Sequence, residues 1–161
     1  MNMYYKNNMV GGLMFQTLLI FGFFYLLFTG LISIVLYVIL AYALYKMALR
    51  QGLQNSWVAW IPIAQLYILG KLIITIQVFD WEIPSAEVVL PVAAIVVFIF
   101  NHVHFLGGLL SLANYILVLF ALNKLYKSYR PEKATLYTVL SIFGVTVPFI
   151  LLSLKDYDQI S

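Results

Sequence analysis

From Met9 to Tyr45 the chain carries no charged residue, and three more charge-free stretches follow, Val88 to Asn101, Asn101 to Asn123 and Ala134 to Leu154. Runs of roughly 18 or more apolar residues have the length of membrane-spanning helices, because about 20 residues at 1.5 Å rise cross a hydrocarbon core of about 30 Å. With 64% apolar and 9% charged residues in 161, the chain cannot cover such segments with a polar surface of its own. A lipid-exposed backbone must satisfy its own hydrogen bonds, and the alternation of a membrane barrel is absent, so the spans are expected to be helices.

The opening "MNMYYKNNMVGGLMFQTLL" places one lysine before an apolar run, as a secretory signal does. The run exceeds signal length and no small-residue cleavage site follows, so this segment is expected to stay as an anchor. The absence of cysteine excludes disulfides, thiolate metal sites and cysteine lipidation. A net charge of +3, with the basic residues beside helix ends, gives no support to nucleic-acid binding.

Apolar blocks fall at about 11–48, 57–78, 88–101, 105–126 and 134–154. Between them lie "KMALRQGLQNS" (46–56), the acidic "FDWEIPSAE" (79–87) and the basic "KLYKSYRPEKA" (124–134). Gly52 suits a helix C-terminal cap, Asn55 or Ser56 an N-cap, and Pro131 the first turn of a new helix.

A shift of 78 residues lays "GLISIVLYVILAYALYKM" (30–47) over "GLLSLANYILVLFALNKL" (108–125) without a gap. Gly30, Ser33, Tyr37 and Lys46 coincide with Gly108, Ser111, Tyr115 and Lys124. At 100° per residue the glycine, serine and tyrosine of each copy share one helix face, which marks Gly30, Ser33, Tyr37, Gly108, Ser111 and Tyr115 as candidate helix-packing residues. Each copy ends in a basic joint, containing Arg50 in the first and Arg130 in the second. The positive-inside rule puts both joints in the cytoplasm, so the repeats, about 11–78 and 88–154, run parallel within a single integral membrane domain, 1–161.

Parallel repeats require an even number of crossings between Arg50 and Lys124, yet three apolar blocks lie there. The block 57–78 is the weakest span, because it holds Pro62, Gln65, Lys71 and Gln77. Trp57, Trp60 and Lys71 are candidate interfacial residues at headgroup level, which favours a re-entrant or interfacial segment. The alternative has 57–78 cross and 88–126 form one helix broken at "NHVHF". Either version gives an all-α polytopic protein of about four transmembrane helices with both termini outside.

"SWVAWIPIAQLYILGKL" (56–72), just after a basic helix end, resembles the tryptophan-x-alanine, isoleucine-proline, tyrosine pattern of small bacterial multi-pass membrane proteins classed as domains of unknown function. "LANYILVLFALNKLYKSYRP" (112–131) resembles their later helix and basic turn, and Gln65 stands where they usually carry asparagine. The resemblance covers about two thirds of the chain. It implies a bacterial cytoplasmic membrane protein and supplies no activity.

Ionisable and polar groups at membrane depth are the candidates for chemistry. His102 and His104, two apart, are weak candidates for metal binding, with only Asp80, Glu82 and Glu87 as further ligands; a wet turn between helices is the favoured reading. A snorkelling lysine accounts for Lys71 and cross-helix hydrogen bonds for Asn114 and Asn123. Ser111 has no activating partner at helical spacing, and the Gly-Gly pairs at 11–12 and 107–108 are no phosphate loop. No cofactor motif is present. Two function classes remain: a non-enzymatic accessory or interaction protein, with a membrane protein partner or as a homo-oligomer, and a small transporter or channel working as an oligomer.

Overall fold

A computed structural model of the chain describes residues 3–160. The chain is mostly helical, with α1 (Met3–Arg50), α2 (Ala64–Ile73), α3 (Ala86–Phe100), α4 (His104–Tyr129), α5 (Ala134–Ser141) and α6 (Val147–Leu154), and a short hairpin of β1 (Ile76–Val78) and β2 (Trp81–Ile83). Among the described residues two helices are long and apolar enough to cross a membrane, Gly12–Arg50 and Phe105–Tyr129. The chain divides into two compact units, 1–36 and 37–161.

The first unit is the N-terminal part of α1. Its described side chains, from Gly12 onward, are almost all exposed, among them Leu18, Phe21 and Leu26. The polar ones are satisfied within the helix: Thr17, Thr29 and Ser33 each donate to the carbonyl four residues earlier at 2.8 Å. Such back-bonding lets a hydroxyl sit in an apolar environment without an outside partner.

In the second unit, positions related by the 78-residue shift are buried together. The last turns of α1 and of α4 bury the same positions of the repeat, Ala43, Leu44, Met47 and Ala48 in one and Ala121, Leu122, Leu125 and Tyr126 in the other, all in one core. Gln51 and Tyr129, themselves equivalent under the 78-residue shift, meet directly, with Gln51 Nε2 donating to the Tyr129 hydroxyl at 3.3 Å.

After each long helix the chain turns through its basic joint, rises beside the helix, breaks and comes back. Gly52, at φ +69°, ends α1: its N–H bonds the Leu49 carbonyl at 3.0 Å and the Leu53 N–H reaches Ala48 at 3.0 Å, a Schellman cap. A 3-10 turn, Ser56–Trp60, leads to a break at Ile61, whose extended backbone (φ −99°, ψ 124°) is the conformation that Pro62 imposes on its predecessor. From there α2 descends, so that Lys71 and Tyr67 share a wall with Gly52–Asn55. In the second copy α5 rises from Pro131–Lys133, and Gly144 at φ +63° turns the chain. α6 then returns, with Pro148 in its first turn, where the missing N–H costs nothing.

The descending arm ends against the basic joints. Arg50 donates to the Asp156 carbonyl at 2.6 Å and pairs with Asp158 at 3.3 Å, Arg130 reaches the Tyr157 hydroxyl at 3.1 Å, and the Ile160 N–H bonds Ser128 at 2.7 Å. Gln159 ties the same tail to the Leu72 carbonyl at 2.8 Å.

Several expectations are thereby corrected. The block 134–154 is two eight-residue helices that return to their starting end, because glycine at 144 reverses the chain, so it does not cross as one helix and the C-terminal tail lies with the basic joints, not opposite them. Against the alternative in which it crosses, the block 57–78 is no single helix but a 3-10 turn, α2 and a strand, and the acidic joint is a hairpin pairing Ile76 with Ile83 and Val78 with Trp81. The stretch 88–126 is no single broken helix: α3 and α4 pack against each other around a tight turn at 101–103.

α3 lies against α2 at unusually close range. A Cβ on Gly70 would fall 2.3 Å from the Glu87 Cα, so only glycine permits the contact. The connection is strained, with Ile74, Phe79 and Ser85 all at positive φ (64°, 54° and 56°), a region that costs a side chain about 1–2 kcal/mol.

Candidate functional site

The polar and ionisable side chains fall into three places. The first is the Lys71 ammonium, 3.6 Å from Glu87 and 5.6 Å from the centre of the Tyr67 ring. Lys71 is on the last turn of α2 and Glu87 on the first turn of α3, so each charge also faces the end of the helix dipole that favours it. The pair accounts for a lysine in an apolar block by structure alone. Trp57 and Trp60 are exposed at the outer side of the 3-10 turn.

The second is the tail clamp on the basic joints. Lys155 bonds Asp156 and holds its carboxyl below the usual range, while its own backbone N–H and Arg130 do the same for Glu132. All of these groups lie at the surface, so the clamp fixes the tail by number of contacts more than by strength.

The third place lies along α1 and α4 of the second unit, from the exposed hairpin tips to the buried Tyr126 and Ser141. Here the shared tyrosines take equivalent roles: Tyr37 donates to the carbonyl of Trp60 and Tyr115 to that of Ile142, each at the tip of the following hairpin. Tyr126 donates to Ser141 Oγ at 2.8 Å, whose own proton goes to the Tyr137 carbonyl at 2.8 Å. Asn123 reaches across to Thr138 at 2.8 Å, the cross-helix bond expected of it. Asn114 does not make one; its Oδ1 is buried without a partner.

Above the core lies a cavity of about 250 Å³. Leu40 and Leu44 from α1 line it together with their equivalents Val118 and Leu122 from α4, and Leu69 from α2 and Leu151 from α6 also contribute. Gln65 also lines it, is 7% exposed, and its Nε2 has no acceptor. The sequence singled out Gln65 as a polar residue that weakens 57–78 as a span and as a departure from a family pattern.

The remaining candidates are dispersed. Gly30 and Gly108 each face open space, with no heavy atom within 4 Å of a Cβ built on them. Ser33 is exposed and Ser111 partly so. The burial on α1 and α4 is centred further along each helix, where alanines 43 and 121 let the core close. His102 is exposed in the turn before α4, and His104 is the first residue of α4, its side chain outside the described ones. Among the described residues no group of three or more His, Asp or Glu could hold a metal ion.

No family model, curated protein or solved structure matches the chain.

Proposed function

We propose that this is a non-enzymatic multi-pass protein of the bacterial cytoplasmic membrane that works by associating with another membrane protein or with further copies of itself. The observation that carries the reading is the open space at Gly30 and Gly108, on helix faces that also carry Ser33 and Ser111. In lipid, helices associate by close packing, and small residues let backbones approach, so an unfilled small-residue face is suited to a neighbouring helix. The exposed apolar segment 12–36 adds a surface of the same kind.

In this proposal α1 crosses towards the cytoplasm, α3 returns and α4 crosses again, with 56–73 and 134–154 as re-entrant hairpins. The basic joints, the acidic hairpin and the C-terminal tail then share the cytoplasmic side, as the positive-inside rule asks. Three crossings replace the four expected from the apolar blocks. α3 is short for the task, about 22 Å for its 15 residues, and local thinning of the bilayer accommodates such a mismatch.

The test is cross-linking in intact membranes followed by mild detergent extraction and mass measurement. Wild type should run as a defined homo-oligomer or with a stoichiometric partner, and Gly30→Leu or Gly108→Leu should dissociate it while leaving the thermal stability of the single chain unchanged. A monomer without a stoichiometric partner in membranes would end the proposal. A small transporter or channel working as an oligomer is the second reading, favoured by the cavity between parallel repeats.

A further inference from the structure

Lys124 and Lys127, in the last two turns of α4, share a groove and have no counter-charge. Arg50, Lys71, Arg130 and Lys155 each pair with a carboxylate, whereas no carboxylate among the described residues lies within 4.0 Å of either the Lys124 or the Lys127 ammonium. Three residues apart on a helix, the two side chains are neighbours. Both line an open groove of about 210 Å³ where the β1–β2 hairpin lies against α4, with Gln77 and Phe79 on the hairpin side and Phe120 and Asn123 on the helix. The Asn123 amide nitrogen is taken up by Thr138, so the free donors of the groove are the two lysines and Gln77. In the first copy of the repeat the positions of 120, 124 and 127 hold Tyr42, Lys46 and Leu49, so the lysine pair belongs to α4 alone. A helix C-terminus and the positive-inside rule favour basic residues at such an end, but neither calls for two of them on one groove.

The hairpin brings an apolar counterpart. Phe79 sits in its turn at φ +54°, a conformation that disfavours a side chain, and is 85% exposed, with its ring edge-on to Phe120 at 5.6 Å. At 1.5 Å per residue Phe120 lies about 6 Å from Lys124 and about 10 Å from Lys127, on the side away from the basic joint. Cations towards the joint and rings towards the span are the order of a phospholipid seen from its headgroup. Free phosphate would satisfy the lysines and leave the rings uncovered, and a zwitterionic headgroup would bring its own cation up to two others. A groove smaller than the about 300–1,000 Å³ of pockets that enclose a drug-sized molecule takes a headgroup and not a whole lipid. We propose that this groove binds the headgroup of an anionic phospholipid, whose phosphodiester oxygens accept hydrogen bonds from Lys124, Lys127 and Gln77 while the glycerol and first acyl carbons lie against Phe79 and Phe120. The site rests on α4 crossing the bilayer and is independent of the association proposed above.

The test titrates the full chain in maltoside with dioleoylphosphatidylglycerol, dioleoylphosphatidylcholine or inorganic phosphate and reads binding as a rise in thermal midpoint. Wild type should bind phosphatidylglycerol about tenfold more tightly than either of the others, the range of one charge-assisted hydrogen bond. Lys124→Gln with Lys127→Gln should erase the preference over phosphatidylcholine. Lys46→Gln with Lys133→Gln, which removes the same charge elsewhere, should keep it. Equal binding of the two lipids, inorganic phosphate binding as tightly as phosphatidylglycerol, or an equal loss in both double variants overturns the proposal. Should the variants fail to fold, amine acetylation of wild type read by mass spectrometry decides: phosphatidylglycerol, and not phosphatidylcholine, should slow modification of Lys124 and Lys127 relative to Lys133, and equal rates refute the site.

Discussion

Gly70 offers the most direct test of the interior packing. In Gly70→Ala the new Cβ would lie 2.3 Å from both Cα and N of Glu87 and 2.5 Å from the Ala86 carbonyl carbon. Carbon atoms pack at about 3.5–4.0 Å, so α3 would have to retreat by about 1 Å or more. The obstacle is backbone, with no rotamer to give way, which puts the strain at the upper end of the range for overpacking, about 3 kcal/mol. Alanine is favoured over glycine inside a helix by about 1 kcal/mol. The difference is a net loss of about 2 kcal/mol, or a midpoint lower by about 4–8 °C for a chain of this size. Gly108→Ala is the control, since its Cβ would meet nothing within 4 Å and only the helical gain should appear. Thermal unfolding in maltoside detergent, followed by circular dichroism, measures both. If Gly70→Ala unfolds with wild type, or if the two changes act alike, the close approach of α2 and α3 is not real and the argument fails.

Tyr37→Phe and Tyr115→Phe should each cost about 1 kcal/mol, one hydrogen bond, and should add in the double variant because they share no partner; unequal or strongly coupled effects in the same unfolding assay would contradict equivalent roles. Ser85→Gly should raise stability by about 1 kcal/mol, since the residue is exposed at φ 56° and its side chain makes no cap bond; a lower midpoint would mean the conformation is not as described. Single cysteines at Gln54, Ser85 and Asp158 should react with an impermeant reagent from one side of the membrane and one at Asn101 from the other; any of the first three labelling with Asn101 would break the three-crossing arrangement.

The repeat could be read from the sequence because it lies in residues whose identity is scarce in an apolar run, Gly30, Ser33, Tyr37 and Lys46 against Gly108, Ser111, Tyr115 and Lys124. Of the residues it marked, Tyr37 and Tyr115 each donate to a carbonyl of the segment that follows, while a Cβ built on Gly30 or Gly108 would meet no heavy atom within 4 Å. Hydropathy measures how much apolar surface a segment has, not which way the chain travels, so 134–154 reads as a span while Gly144 folds it back. The signal was present in Gly144 and Pro148, but both residues also occur in kinked spanning helices.

In the proposed re-entrant arrangement the two tyrosines have a definite task at the hairpin tips. Non-helical backbone at membrane depth is tolerated only where protein or water satisfies it, and each hairpin tip, 61–63 and 142–146, is a short break in helical pairing. Tyr37 stands about 20 Å along its helix from Arg50, and Tyr115 about 21 Å from Tyr129, at a rise of 1.5 Å per residue, so in that arrangement the tips would reach well into the hydrocarbon. A long side chain with an apolar ring and one terminal donor meets the need there, since the ring tolerates an apolar setting while the hydroxyl covers a carbonyl. Phenylalanine would reach the place and leave the carbonyl bare, and serine would not reach it. The identity of the repeated tyrosine is therefore set by the neighbouring hairpin and not by the partner helix, which is why it persists in both copies while the residues around the two tips, Ile61–Pro62–Ile63 and Phe143–Gly144–Val145, have nothing in common but the need to turn.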